Sequence, residues 1–225
     1  MKRDFQYAVQ AVQRSTLILA MLAVLLFAAA GTTHIASIRA YLVAYAAFLL
    51  VTMSVVDPRL ARERTTPGPD AIAPHLRSMS GSFFLVTVST AAFAVGRAHT
   101  ALVAPQLRWI ALVVFVLSSS FQTWAMARNP FFSPAVRIQS ERGHHLIESG
   151  PYRFVRHPGY LSMSISIPAS ALAIGSWFAL IPATGFLLII RYRAEIEDKF
   201  LRLHMPGYAA YAQRVPSGLP LTRSS

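Results

Sequence analysis

Residues 161–190, LSMSISIPASALAIGSWFALIPATGFLLII, run for 30 positions without a charged side chain. As one helix rising 1.5 Å per residue the run would measure about 45 Å, which overshoots a hydrocarbon core of about 30 Å. Gly175-Ser176 near its middle supplies a turn, so the run is expected to fold as a hairpin of two short helices. Pro168 and Pro182 are expected to kink those helices, with buried polar neighbours satisfying the carbonyls that proline frees.

Toward the N-terminus lie four more apolar runs, 15–30, 38–56, 81–95 and 107–127, each long enough for one crossing. The fold class is therefore all-α integral membrane, with about six transmembrane helices, the last two forming the short hairpin, followed by a cytoplasmic C-terminal helix. Five crossings remain if the first run is a cleaved signal peptide, which Lys2, Arg3 and Ala28-Ala29-Ala30 imitate. Arg14 at the edge of that run instead favours a retained anchor. Composition agrees: of 225 residues 54% are hydrophobic and 13% charged, against roughly 25% charged in an ordinary soluble domain. Mean hydropathy is +0.46. No repeat or second domain is visible. The chain reads as a single membrane domain over 1–225, with a four-helix part, 1–127, and a cofactor-binding catalytic part, 128–225.

The net charge of +12 would ordinarily raise nucleic acid as a partner. Six crossings, however, gather both termini and segments 57–80 and 128–160 on one side. All but three of the 21 basic residues (Arg39, Arg97 and Arg108 are the exceptions) and all nine acids then fall there. The positive-inside rule makes that side cytoplasmic, so the charge orients a membrane protein and no nucleic-acid partner is expected. Absence of cysteine removes thiolate nucleophiles and Cys-based metal sites. The adjacent histidines His144 and His145 lack the i, i+4 spacing of a helical metal pair, so no metal is expected. No G-x-G occurs among the 11 glycines, which excludes the Rossmann and Walker loops.

Two stretches concentrate chemistry. The first is 129–160, NPFFSPAVRIQSERGHHLIESGPYRFVRHPGY, where a turn at Gly150-Pro151-Tyr152 and the rigid His157-Pro158 step place polar groups at the mouth of the hairpin. Interfacial anchoring by aromatic and basic residues is the plainer reading of its composition. The second is 191–201, RYRAEIEDKFL, which puts Arg193 and Glu197 on one helix face as an i, i+4 pair. An exposed pair of this kind is worth only about 0.3–0.5 kcal/mol.

Together these stretches resemble the isoprenylcysteine carboxyl methyltransferase family of integral membrane enzymes. The resemblance covers 129–220 and rests on Gln139, on 144–147, on GPYRFVRHPGY, on Glu197-Asp198, and on Tyr208, Tyr211 and the closing RVPSGLP. It implies that S-adenosylmethionine contacts Gln139, His144, His145, Leu146, Ile147, Tyr152, His157, Pro158, Gly159, Tyr160 and Glu197. It also implies that Arg193 faces the carboxylate of the acceptor. Two positions depart from the family pattern: Asp198 where a second glutamate is usual, and Ser162 where a glycine is usual.

The expected reaction is carboxyl O-methylation of a lipophilic, isoprenylcysteine-like acceptor. A carboxylic acid is already ionised at neutral pH, so this transfer needs alignment and exclusion of water rather than a general base. Phospholipid or other amine N-methylation is the close alternative; there a base such as His157 would remove the proton. Membrane sterol reductases resemble the same half and use NADPH, and a small transporter is the non-enzymatic reading. Ser118, Ser119, Ser120 and Gln122 are candidates either to line the cavity or to hydrogen-bond between helices.

Overall fold

The computed structural model describes residues 2–56, 60, 63, 68 and 71–216, without the side chains of 2–8. All regular structure among them is helical, apart from two isolated bridges. The helices are α1 (Lys2–Ala30), α2 (Ala36–Val55), α3 (His75–Phe93), α4 (Pro105–Arg128), α5 (Pro158–Ile174), α6 (Leu180–His204) and α7 (Tyr208–Arg214). A single π turn, Ala94–Ala98, extends α3. Short 3-10 turns at Ser140–Arg142 and Gly150–Arg153 shape the connection from α4 to α5.

Four stretches are long and apolar enough to cross a membrane: Val9–Ala30, Ala36–Val55, His75–Ala98 and Pro105–Arg128. They contain the four N-terminal runs almost whole; only Val56 lies outside, at the end of α2. Each helix outgrows its apolar run because helical hydrogen bonding continues into the polar flanks until a cap stops it. Pro105 starts α4 at a position where its missing N–H costs nothing, and Arg128 closes it with a positive charge in the last turn.

The run 161–190 divides at Gly175, whose φ of 129° lies outside the region open to other residues. On either side stand α5, with 17 residues or about 26 Å of helix, and α6, with 25 residues, which continues past Ile190 into charged sequence. Pro168 lies inside α5, and nearby Ser170 Oγ donates to Ser166 O at 2.7 Å. Pro182 differs from expectation. It sits in the first turn of α6, where amides lack intrahelical partners, so it starts the helix instead of kinking it.

Helix α5 is the centre of the packing: eleven of its 17 residues are buried, and it packs most extensively on α4. Small side chains permit this closeness. Ala91 and Ala92 of α3 and Ala169, Ala171 and Ala173 of α5 join Leu26, Ile38, Tyr41 and Phe115 in one core. The outer faces stay apolar and uncovered, with Met21 at 63% and Val43 at 70% exposure. Apolar surface on this scale is what a hydrocarbon solvent accepts and water does not.

The connections α1–α2, α3–α4 and α5–α6 meet at one end. Val103 N–H donates to Gly175 O (2.9 Å), Trp177 N–H to Ala101 O (2.9 Å), and Ser37 Oγ to Ile174 O (2.7 Å). The connection between α4 and α5 lies at the other end with the C-terminal part of α6 and α7. Within segment 57–80, positions 57–59, 61–62, 64–67 and 69–70 lie outside the described residues, and α3 already begins at His75. Residues 217–220 of the closing segment also lie outside them.

Candidate functional site

A cleft with about 1090 Å³ of empty space, counting the part open to solvent, lies where the α4–α5 connection meets α5, α6 and α7. Of the residues singled out in the sequence, His144, His145, Leu146, Ile147, Tyr152, His157, Pro158, Gly159, Tyr160, Arg193 and Glu197 line it. Gln139 does not. Gln139 is fully buried behind the wall: its Nε2 donates to Phe131 O (2.8 Å), its Oε1 accepts from Arg142 Nη1 (2.6 Å), and its N–H donates to His144 Nδ1 (3.2 Å). Gln139 therefore shapes the loop that presents Phe131 and His144.

Those bonds fix a small aromatic wall. The His144 ring stacks on Phe131 at 4.4 Å, with the Arg142 guanidinium 5.6 Å from the Phe131 ring centre. Burial, joined by the charges of His145, Arg137 and Arg142, pushes the His144 pKa down to about 4. His144 is thus a neutral imidazole at pH 7. Asn129 turns the chain out of α4, its Oδ1 accepting from Phe131 N–H (2.9 Å) and its Nδ2 donating to Tyr152 Oη (3.0 Å). A Cβ at Gly159 would lie 2.4 Å from Phe132 Cζ, so any other residue there would push the Phe132 ring aside.

From α6 come the charged groups. Glu197 accepts from Tyr160 Oη at 2.6 Å, and the Arg193 guanidinium stands 5.5 Å from the Tyr160 ring centre. The i, i+4 pairing of Arg193 with Glu197 gives way to these contacts. Arg193 is buried, with Nη2 donating to Pro134 O (2.6 Å) and Nη1 to Ser80 Oγ (3.3 Å). Among the described residues no carboxylate pairs with it. A buried guanidinium held by neutral oxygens keeps most of its capacity for an anion.

A second, mostly apolar cavity also has Arg193 in its lining, with Ala71, Ile72, Pro74, Leu76 and Ile196 and the charged Arg77. Pro134, Ala135, Val136 and Arg193 border both spaces. Ile72 N–H donates to Val136 O (3.0 Å), which ties residues 71–74 to that partition. Arg137 secures it from behind through a bidentate pair with buried Glu63, Nε–Oε1 and Nη2–Oε2 each 2.9 Å. Ser133 Oγ joins Glu63 Oε1 at 3.0 Å.

Helix α4 supplies Gln122 to the cleft, while Ser118 and Ser120 donate back to their own helix. Ser162 is fully buried against α4, donating to Ser118 O at 2.5 Å, and does not line the cleft. Residues that sequence reading passed over include Phe131, Phe132, Met163, Leu201 and Met205. Helical spacing would have found two of them: Met163 follows Tyr160 by three residues and Leu201 follows Glu197 by four. Among the described residues no group of three His, Cys, Asp or Glu is arranged to hold a metal.

The family model of isoprenylcysteine carboxyl methyltransferases matches residues 109–203, which span α4 to α6. A probable protein-S-isoprenylcysteine O-methyltransferase of Oryza sativa subsp. indica is 30% identical over 131 residues, covering 53% of this chain and 68% of the relative. The chain belongs to the isoprenylcysteine carboxyl methyltransferase family. Family membership makes it a membrane methyltransferase and lends no support to the reductase or transporter readings. The structure of a eukaryotic intramembrane Ras methyltransferase of the same family shares the fold with a TM-score of 0.55 at 16% identity, over 98% of this chain and 85% of that one. The cobalt-zinc-cadmium resistance protein CzcN of Cupriavidus metallidurans is 32% identical over 91 residues, 38% of this chain and 40% of that protein.

Proposed function

We propose that this methyltransferase transfers the methyl group of S-adenosylmethionine to the carboxylate of a lipophilic, isoprenylcysteine-like acceptor. The observation that carries the reading is the buried Arg193, which borders both the larger cleft and the second, apolar cavity.

The cleft suits the cofactor chemically. Glu197 is the acid for an ammonium group, Phe131, Tyr152 and Tyr160 are walls for adenine and a sulfonium, and His157 adds a polar side chain to the lining. Gln139 would support the cofactor only through His144, its neighbour in the wall. Bound there, S-adenosylmethionine supplies an electrophilic methyl on a positively charged sulfur. Arg193 would hold the acceptor carboxylate by charge-assisted hydrogen bonds and release it once the neutral ester forms. Apolar walls at Met163, Leu201 and Met205 exclude water, which favours a step in which an anion and a cation neutralise each other. The hydrocarbon part of the acceptor would occupy the apolar cavity beside Ile72 and Leu76.

In this reading six helices cross the bilayer, α5 and the apolar part of α6 as a short hairpin. Both termini and the cleft face the cytoplasm, and the whole chain is one membrane domain whose part 128–225 carries the cofactor. A second reading, amine methylation, draws on His157, which lines the cleft with its Nε2 turned to within 3.5 Å of the Asp198 carboxylate. Product chemistry separates the two. With methyl-tritiated S-adenosylmethionine and membrane lipids or a synthetic prenylcysteine as acceptor, carboxyl methylation gives label released as volatile methanol by mild alkali. Label that resists alkali would identify an amine acceptor.

A further inference from the structure

Asp198 lies outside the cleft lining, yet it gathers more donors than any carboxylate that lines it. Its Oδ1 accepts from Arg156 Nε (2.9 Å) and Tyr208 Oη (2.7 Å), its Oδ2 from Arg202 Nε (3.0 Å), and His157 Nε2 stands 3.5 Å from Oδ1. Burial opposes its ionisation, but the donors His157, Tyr208 and Arg202 and the charge of Arg156 outweigh it and hold the carboxyl well below the usual range. Asp198 is therefore an anion at neutral pH.

Helix α7 has only seven residues, too few to be stable alone. Its apolar side buries Tyr208, Tyr211 and Ala212 with Met205 against Leu146 and Ile138, so α7 closes one wall of the cleft. Three polar tethers hold it there: Tyr208 on Asp198, Val215 O on Arg156 Nη1 (2.7 Å), and Tyr211 Oη on Tyr152 O (2.7 Å). The first two run through one carboxylate, because Asp198 also fixes Arg156.

We infer that Asp198 is a positioning residue that clasps α7 over the cleft by holding Tyr208, Arg156 and Arg202 on one carboxylate. It acts through its partners and touches no reacting atom. The clasp itself follows from this geometry alone; its consequence for the cofactor rests on the function proposed above.

The test is hydrogen exchange by mass spectrometry on the detergent-purified full chain, beside titration with S-adenosylhomocysteine. In Asp198→Asn the amides of 208–214 should exchange about tenfold faster or more, as loss of a charged acceptor implies, while α1 to α4 keep their protection. Donor-analogue affinity should fall by about tenfold on the same ground. Tyr208→Phe, which removes one tether and leaves the charge, should loosen α7 less, and Asp198→Glu should restore most of the protection. Unchanged protection of 208–214 in Asp198→Asn would overturn the clasp, as would an equal loss across the whole chain. Selective loosening in a protein whose wild type binds no S-adenosylhomocysteine would uphold the clasp and remove the cofactor assignment instead.

Discussion

Helices α1 and α2 bury only 11% and 17% of their most apolar windows, against 39% and 44% for α3 and α4. The first pair faces lipid over most of its surface, and its buried contacts with the rest are aliphatic and aromatic residues such as Leu22, Leu26, Ile38 and Tyr41. Residues 129–216 are built in the opposite way. There, Arg137, Arg156 and Arg193 are all buried, and each is held by named oxygens. The difference teaches where the sequence is constrained. Lipid accepts any apolar side chain of suitable length, whereas a buried guanidinium tolerates only the partners that match it.

Breaking the polar half should therefore cost far more than editing the lipid-facing one. Removing Arg193 is expected to have the largest effect. Arg193→Ala should lower kcat/KM for the acceptor by about 100-fold, as expected for loss of a charge-assisted bidentate contact, with S-adenosylhomocysteine affinity nearly unchanged; steady-state kinetics and titration check this together. Next comes the partition behind it. Glu63→Ala strands the Arg137 guanidinium, which keeps only the exposed Glu141, and should destabilise the protein by about 3 kcal/mol. A lowered thermal midpoint in detergent would show it.

Smaller effects sharpen the contrast. Ser162→Leu forces extra volume into the tight α4–α5 contact and should cost about 1–3 kcal/mol, whereas Met21→Ala on the exposed face of α1 should stay within about 0.5 kcal/mol. Equal thermal shifts for the two variants would erase the distinction drawn between the halves. The mildest expectation concerns pH. His144 has its pKa depressed from 6.5 to about 4, so it is neutral when folded and protonated when unfolded between those values. Its contribution is therefore fully present above pH 6.5 and is lost as pH falls toward 4. Thermal midpoints measured from pH 7.5 to 4.5 should decline across that window, and His144→Phe should flatten the decline.

Much of the fold was legible because lipid solvation writes itself into the sequence as long apolar runs, and the turn at Gly175 stood out within the longest. Pro182 was misread because a proline looks the same in a first turn, where it is harmless, as in a helix interior. At the site, GPYRFVRHPGY and Glu197 were visible through the family resemblance, and the cleft gathers them. Gln139 was less legible: the resemblance implies ligand contact, but a buried amide serves equally to satisfy Phe131 O and Arg142. The Arg137–Glu63 pair and the Ile72–Val136 bridge carried no local signal. They join residues some 60 to 75 positions apart, and only the folded chain brings them together.

The most direct measurement is calorimetric titration of the folded, detergent-purified protein with S-adenosylhomocysteine, in the wild type and in Glu197→Ala. Single-site binding that is weakened by about 100-fold in the variant, the scale of a lost charged hydrogen bond, is the predicted result. No binding to folded wild type, or equal binding to both proteins, would contradict the assignment of this cleft.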